Sequence, residues 1–391
     1  LKEKIKERSE QLFEKLVSIR RHIHENPELS FLEVETAKFI SKVLTENNIK
    51  HQTGIADNGI LAIINEHKTN RIALRADIDA LPIHEETGAS YSSKKDGVMH
   101  ACGHDVHTTC ALGAAMILNE LKDEIDGRIE IIFQPAEEKL PGGASLVLKE
   151  KAFGETLPSG IIGQHVYPDL PAGKVGFRPG IYMASTDELY FTIIGKGGHG
   201  AMPHKNIDPV VVSAEIISAL QRIPSRNANP IMPTVLSIGK VIANGATNVI
   251  PNEVKMEGTF RTFDEKWRFK AHELIKRTCL DIATAHGATA EVDIKVGYPY
   301  LKNDEKLTSK SMEIAREYLG EENVVHLDMR MTAEDFSYYS QVMPGCFYRL
   351  GTASADGSNT FGLHHSKFNI DESSLKIGAG LMAYEAVRNL N

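Results

Sequence analysis

Residues 99–107 read Met99-His100-Ala101-Cys102-Gly103-His104-Asp105-Val106-His107, which sets His100, Cys102, His104, Asp105 and His107 within eight positions. Imidazole, thiolate and carboxylate are the side chains that ligate zinc and its neighbours among the divalent ions. They pack a core poorly, and no basic or Gly-Pro bias accounts for the run, so it predicts a metal-dependent enzyme. A thiol nucleophile at Cys102 with His104 as its base is the rival reading. Neighbours on one turn rarely reach that geometry, and no oxyanion motif accompanies them.

Further groups of the same chemistry lie downstream. Glu137 and Glu138 are adjacent, and His165 follows an apolar run. Asp77 and Asp79 sit in Arg75-Ala76-Asp77-Ile78-Asp79, and His364 and His365 in Gly362-Leu363-His364-His365-Ser366. Taken singly, each has a plain reading as a loop carboxylate, a structural imidazole or a solvated pair. Adjacent glutamates also have a natural division of labour. One can hold a metal while the other, pointing elsewhere, acts as a general base on water.

The elements around these residues bring them to one edge. Strand-like runs cover 59–65, 71–77, 128–134 and 160–165, with helical periodicity over 3–20, 31–47, 105–121 and 144–149. Alternation of this kind predicts an α/β sheet covered by helices. Open α/β sheets place their sites at the carboxyl ends of strands. Here those ends deliver Asp77 and Asp79, Glu137 and Glu138, and His165. The 102–107 run opens a helix at the same edge, with Asp105 read as its N-terminal cap or as an orienting group.

The middle of the chain changes style. Strands at 187–195, 234–243, 253–263 and 290–296 alternate with helices at 208–222 and 264–286. That is the βαββαβ order of a ferredoxin-like sandwich. Helices at 306–319, 333–341 and 373–389 then resume the first style. The expected division is a first part at 1–183, an inserted domain at 184–297, and a return at 298–391.

With 391 residues the chain is expected to form about two or three domains. A net charge of −8 with a pI near 6.1 argues against nucleic-acid partners, which need a basic surface. Apolar runs are too short for a membrane span. Cys102, Cys110, Cys279 and Cys346 are too scattered for a disulfide framework, so a cytoplasmic, reducing location is expected. All but Cys102 read as core thiols.

Six stretches carry a family resemblance. They are Arg20-Arg21-His22-Ile23-His24-Glu25-Asn26-Pro27-Glu28, Leu74-Arg75-Ala76-Asp77-Ile78-Asp79-Ala80-Leu81-Pro82, the Met99–Asp105 run, Phe133-Gln134-Pro135-Ala136-Glu137-Glu138, Gly195-Lys196-Gly197-Gly198-His199-Gly200-Ala201, and Met331-Thr332-Ala333-Glu334-Asp335-Phe336. The loop from Leu363 to Glu372 also fits. In this order, over essentially the whole chain, they resemble the M20 metallopeptidases. The likeness is to the amidohydrolase subgroup of hippurate hydrolases, auxin-conjugate hydrolases and N-acyl-amino-acid deacylases.

The resemblance implies a zinc-peptidase-like α/β catalytic domain with a mostly parallel central sheet, and a ferredoxin-like α+β lid and dimerisation domain inserted in it. It implies two divalent ions, zinc or manganese with cobalt or nickel also accepted, held by Cys102, His104, Glu138, His165 and His364. His364 is preferred to His365 because the family places that ligand four residues before Phe368. Glu137 falls on the general base that takes a proton from a metal-bridging water. His199 falls on the residue that polarises the scissile carbonyl, from the same subunit or its partner. Asn248 and Arg261 fall on substrate-binding positions, Arg being suited to a carboxylate.

Asp79, with Asp77, would orient the histidine ligands. The wider superfamily has a His ligand where Asp77 stands, which puts a direct role for Asp77 in question. His100 and His107 take supporting roles. Charge supports the ligand set: two divalent ions bring about +4, and thiolate, Glu138 and a hydroxide about −3, leaving about +1 for an anionic substrate. The expected activity is hydrolysis of the amide bond of N-acyl-amino acids or similar small conjugates by a homodimer. A dipeptidase or carboxypeptidase on the same site, and a non-catalytic metal sensor, are the alternatives.

Overall fold

The computed structural model describes residues 1–357 and 361–390. They form two compact units. The first comprises Leu1–Tyr182, Lys302–Met329 and Asp335–Asn391, and the second Met183–Leu301 with Arg330–Glu334. The segment Arg330–Glu334 joins the second unit, which the expected return at 298–391 did not foresee. Its carbonyls at Arg330 and Thr332 both accept the Ala184 N–H at 3.1 Å, and Met183 bridges Arg330.

The first unit is built on an eight-stranded sheet. Its order is Lys50–Ile55, Gly59–Ile64, Arg128–Gln134, Arg71–Asp77, Ile161–Pro171, Gly345–Ala353, Val175–Phe177, Val324–His326. The four central strands from Arg128–Gln134 to Gly345–Ala353 run parallel. Continuous apolar runs such as Gly59–Ile64 suit strands buried on both faces. The strand Gly345–Ala353, in the middle of the sheet, was not foreseen. Its run Gly345-Cys346-Phe347-Tyr348-Arg349-Leu350-Gly351 has no alternation and includes two glycines and an arginine.

The helix His104–Glu120 is buried along nearly its whole length and packs on Arg71–Asp77 and on the helix Ser374–Asn389. A helix apolar on all sides belongs inside, and this one carries its ligand-rich first turn into the unit. Gly103 precedes it at φ +79°, and a Cβ there would lie 2.5 Å from Val166 Cγ2. Backbone conformation and space therefore both demand glycine. The N-terminal helix reads on past residue 20: after a break at Leu12, a second helix runs Phe13–Glu25, because Arg20, Ile23 and His24 face inward. The helix expected at 333–341 shrinks to Ser337–Ser340.

The second unit is a four-stranded antiparallel sheet in the order Thr234–Ile242, Glu253–Thr262, Asp187–Ile194, Thr289–Val296. With helices Pro209–Leu220 and Glu265–Ala285 this is the ferredoxin-like arrangement. Asp187–Ile194 alternates buried and open positions, turning Leu189, Phe191 and Ile193 toward the helices. Asp208 and Asp264 cap the two helices by accepting Val210 N–H and Trp267 N–H, each at 2.9 Å or less.

Candidate metal centre

The parallel register sets Asp77 beside Gln134 and Arg75 beside Gly163, so three strands end on one edge of the first unit. At that edge the donor atoms form overlapping groups within 4.8 Å. Cys102, His104 and His165 make one, Cys102, Glu138 and His364 a second, and His104, Glu137 and Glu138 a third. Cys102 Sγ lies 3.5 Å from His165 Nε2. Glu138 Oε1 lies 3.8 Å from His104 Nε2 and 3.4 Å from His364 Nε2.

Hydrogen bonds fix which imidazole nitrogens face this cluster. His104 Nδ1 donates to Asp79 Oδ1 at 3.1 Å, and His165 Nδ1 to the Val166 carbonyl at 2.8 Å, so both turn Nε2 inward. Asp79 Oδ2 also accepts the Glu138 N–H at 2.9 Å and the Ser30 hydroxyl at 2.6 Å. Ala136, ahead of the glutamates, has φ +54°, with its N–H donated to Glu33 Oε1 at 2.8 Å. That left-handed residue is strained for a non-glycine, and it turns the chain so that Glu137 and Glu138 both reach the cluster.

His364 is also left-handed at φ +62°, and its N–H donates to the Ala101 carbonyl at 2.9 Å, tying the C-terminal loop to the Cys102 turn. His365 points elsewhere. It stacks on Phe361 at 4.5 Å and accepts the Lys367 N–H at 3.0 Å.

The electrostatics call for cations. Burial pushes the Cys102 thiol well above its usual range, and Glu138, Glu137 and Asp77 push further. Burial opposes a charge on His104, yet Asp77, Asp79 and Glu138 outweigh it and push it up to about 10. Among the described residues, buried His104 Nε2 and Glu138 Oε1 have no hydrogen-bond partner. Orphaned donors and acceptors of this type, converging with a thiol and carboxylates, fit divalent ions.

His107 Nδ1 donates to Asp77 Oδ1 at 2.6 Å, and its Nε2 accepts the Val166 N–H at 2.8 Å, so neither nitrogen is available to a metal. His100 is buried, and burial pushes it down to about 3. Asp105 is not the helix cap. Gly103 holds that position without a side-chain bond. Asp105 lies inside the first turn, where Oδ2 accepts Arg20 Nε–H and His24 Nδ1–H, each at 2.8 Å. A buried Arg and His compete for the carboxylate and win it from the helix end.

In the second unit, His199 pairs with Val249, next to Asn248, whose carbonyl accepts the Gly200 N–H at 2.9 Å. His199 is exposed, and its Nδ1 accepts the Ala201 N–H at 3.0 Å. Arg261 lies on the strand Glu253–Thr262, opposite Val235, and touches Thr259 and the Phe260 carbonyl.

Arg75, Gln134 and Asp335 were not singled out from the sequence for any role. They lie directly behind the cluster and are fully buried. The available signal was an arginine inside an apolar strand.

Comparison with known proteins agrees with this chemistry. The profile of peptidase family M20/M25/M40 matches residues 73–386. The N-acetyl-L-cysteine deacetylase of Bacillus subtilis is 40% identical over 97% of this chain and 89% of its own length. The thermostable carboxypeptidase 2 of Saccharolobus solfataricus is 37% identical over 100% and 99%. The crystal structure of YXEP from Bacillus subtilis, described as a dinuclear metal binding peptidase of family M20, superposes with a TM-score of 0.83 at 38% identity over 97% and 99%. The chain belongs to peptidase family M20/M25/M40.

Proposed function

We propose that this protein hydrolyses the amide bond of N-acyl-amino acids or related small conjugates at a two-metal site in its first unit. Cys102, His104, Glu138, His165 and His364 hold the ions, zinc or manganese, with cobalt or nickel as substitutes. Cys102 falls in both donor groups that include His165 or His364, so its thiolate would serve with either set. When bound, the ions supply Lewis acidity toward water and the amide carbonyl.

Glu137 accepts the proton of the attacking water and passes it to the leaving amine. His199 polarises the carbonyl, and Asn248 and Arg261 bind the substrate amide and carboxylate. Asp79 orients His104 and Glu138. The second unit serves as lid and dimerisation domain of a cytoplasmic homodimer without nucleic-acid partners. All four cysteines are free and buried, in keeping with a reducing location. Among the described residues no helix is long and apolar enough to cross a membrane.

The observation that carries the reading is Glu137 grouped with Glu138 and His104 within 4.8 Å. That grouping supports Glu137 as a base working beside the residues proposed to hold metal. The test is metal analysis of the purified protein joined to a screen of acetyl-, benzoyl- and indoleacetyl-amino acids beside dipeptides. Turnover of the acyl-amino acids is expected. Turnover of dipeptides alone would favour the carboxypeptidase or dipeptidase reading, which the likeness to the Saccharolobus enzyme supports.

A further inference from the structure

Behind the candidate metal centre, Arg75 is fully buried in an apolar strand and makes hydrogen bonds in three directions. It donates to Asp77 Oδ2 at 2.6 Å, Asp335 Oδ1 at 2.7 Å and Gln134 Oε1 at 3.0 Å. Gln134 Nε2 donates to Asp335 Oδ2 at 2.7 Å, which closes a ring of Arg75, Gln134 and Asp335. The Ala144 N–H adds a bond to Asp335 Oδ2 at 2.9 Å.

Two arms leave this ring for the site. One runs from Asp77 Oδ1 to His107 Nδ1 at 2.6 Å, from His107 Nε2 to the Val166 N–H at 2.8 Å, and from the Val166 carbonyl to His165 Nδ1 at 2.8 Å. The other runs from the Asp335 N–H to Glu137 Oε1 at 3.4 Å. Hydrogen bonds, linked through the covalent frames of Asp335 and Val166, therefore connect the Glu137 carboxylate to the His165 imidazole along one buried route.

Burying a guanidinium with two carboxylates is costly, and apolar side chains would fill the space at lower cost. Stability alone does not account for such an arrangement. Strands and a closed ring are stiff supports, and chemistry between a base and a metal-held water is sensitive to displacements of about 1 Å.

We propose that Arg75 and Asp335 are positioning residues that hold Glu137 and His165 in one rigid frame, so that the base keeps its place relative to the metal-holding edge. Asp335 acts on Glu137 through its backbone N–H, and its carboxylate, gripped by Arg75, Gln134 and Ala144, fixes the direction of that N–H. The inference rests on the roles proposed above for Glu137 and His165.

The test compares wild type, Asp335→Asn and Gln134→Met, each loaded with zinc and normalised to zinc per folded chain. Asp335→Asn keeps size and backbone N–H but sets an amide NH2 against Arg75, or against Gln134 and the Ala144 N–H, where a carboxylate oxygen had accepted. Gln134→Met removes the ring's amide and leaves every charge in place, so it decides the matter if Asp335→Asn does not fold. A fall in kcat of about 10- to 100-fold is expected, with KM for the best acyl-amino acid held within about two-fold. Hydrogen–deuterium exchange at the Asp335 amide should accelerate in both variants, with or without metal.

A zinc-loaded variant with wild-type kcat overturns the proposal, as does a loss confined to zinc occupancy or to KM. Failure of the functional reading looks different. Wild type itself would then turn over no acyl-amino acid, while amide exchange would still report on the frame.

Discussion

Asp79 and His104 are in direct contact, Oδ1 to Nδ1 at 3.1 Å, and that contact decides which imidazole nitrogen faces the candidate metal centre. Because Asp79 Oδ2 also takes the Glu138 N–H at 2.9 Å, one carboxylate orients two of the proposed ligands. Asp79→Ala is expected to weaken metal binding by about 10- to 100-fold. Competition with a chromophoric chelator measures this without reference to turnover.

Glu137→Gln keeps the shape of the base and removes its ability to take a proton. Activity should fall by about 100- to 10,000-fold with metal content unchanged. Steady-state kinetics together with metal analysis checks this; wild-type kcat in the metal-loaded variant would sink the assignment.

Removal of metal should abolish turnover, and zinc or manganese should restore it. Cys102→Ser replaces the soft thiolate with a hard oxygen. Retained zinc should fall relative to manganese when the variant is loaded from an equimolar mixture. Inductively coupled plasma mass spectrometry reads the ratio.

Stability should depend on Glu385. This carboxyl is fully buried, its Oε2 accepts Asn389 Nδ2–H at 2.9 Å, and burial pushes its pKa well above the ordinary range against the weaker pulls of Ser311, Asn389, Lys310 and Arg388. The folded protein therefore keeps a proton that the unfolded chain releases. The resulting stability is fully present below the unfolded pKa and drains away as pH rises toward the folded value, by about 1.4 kcal/mol per pH unit for one proton. Glu385→Gln should flatten that slope and raise stability at neutral pH. Urea unfolding at pH 5, 6 and 7 tests it.

The sequence was informative where chemistry and periodicity coincide. Asp187–Ile194 alternates, so its strand and its buried face could be read directly. Gly345–Ala353 could not, because a strand buried on both faces of the sheet needs no alternation. Helix 105–121 was legible as an amphipathic helix, but its burial on nearly every side is seen only in the fold. Asp105 was misread as a cap, since its partners Arg20 and His24 lie more than 80 residues away in the chain.

By itself the sequence determined the types of group available for chemistry, the strand ends that could carry them, and the family. Residue type alone left many candidate ligands open, since metal ligation admits several side chains that this chain has in number; Cys102, His104, Glu138, His165 and His364 were proposed from the family resemblance. Tertiary structure decided what those side chains face. It set Asp79 against His104, satisfied both nitrogens of His107 from distant segments, and turned His364 rather than His365 toward Glu138. It also gathered Arg75, Gln134 and Asp335 into one ring. A hydrogen bond is a matter of a few tenths of an ångström and of direction, and only the packed strands fix positions that closely for residues so far apart in the chain.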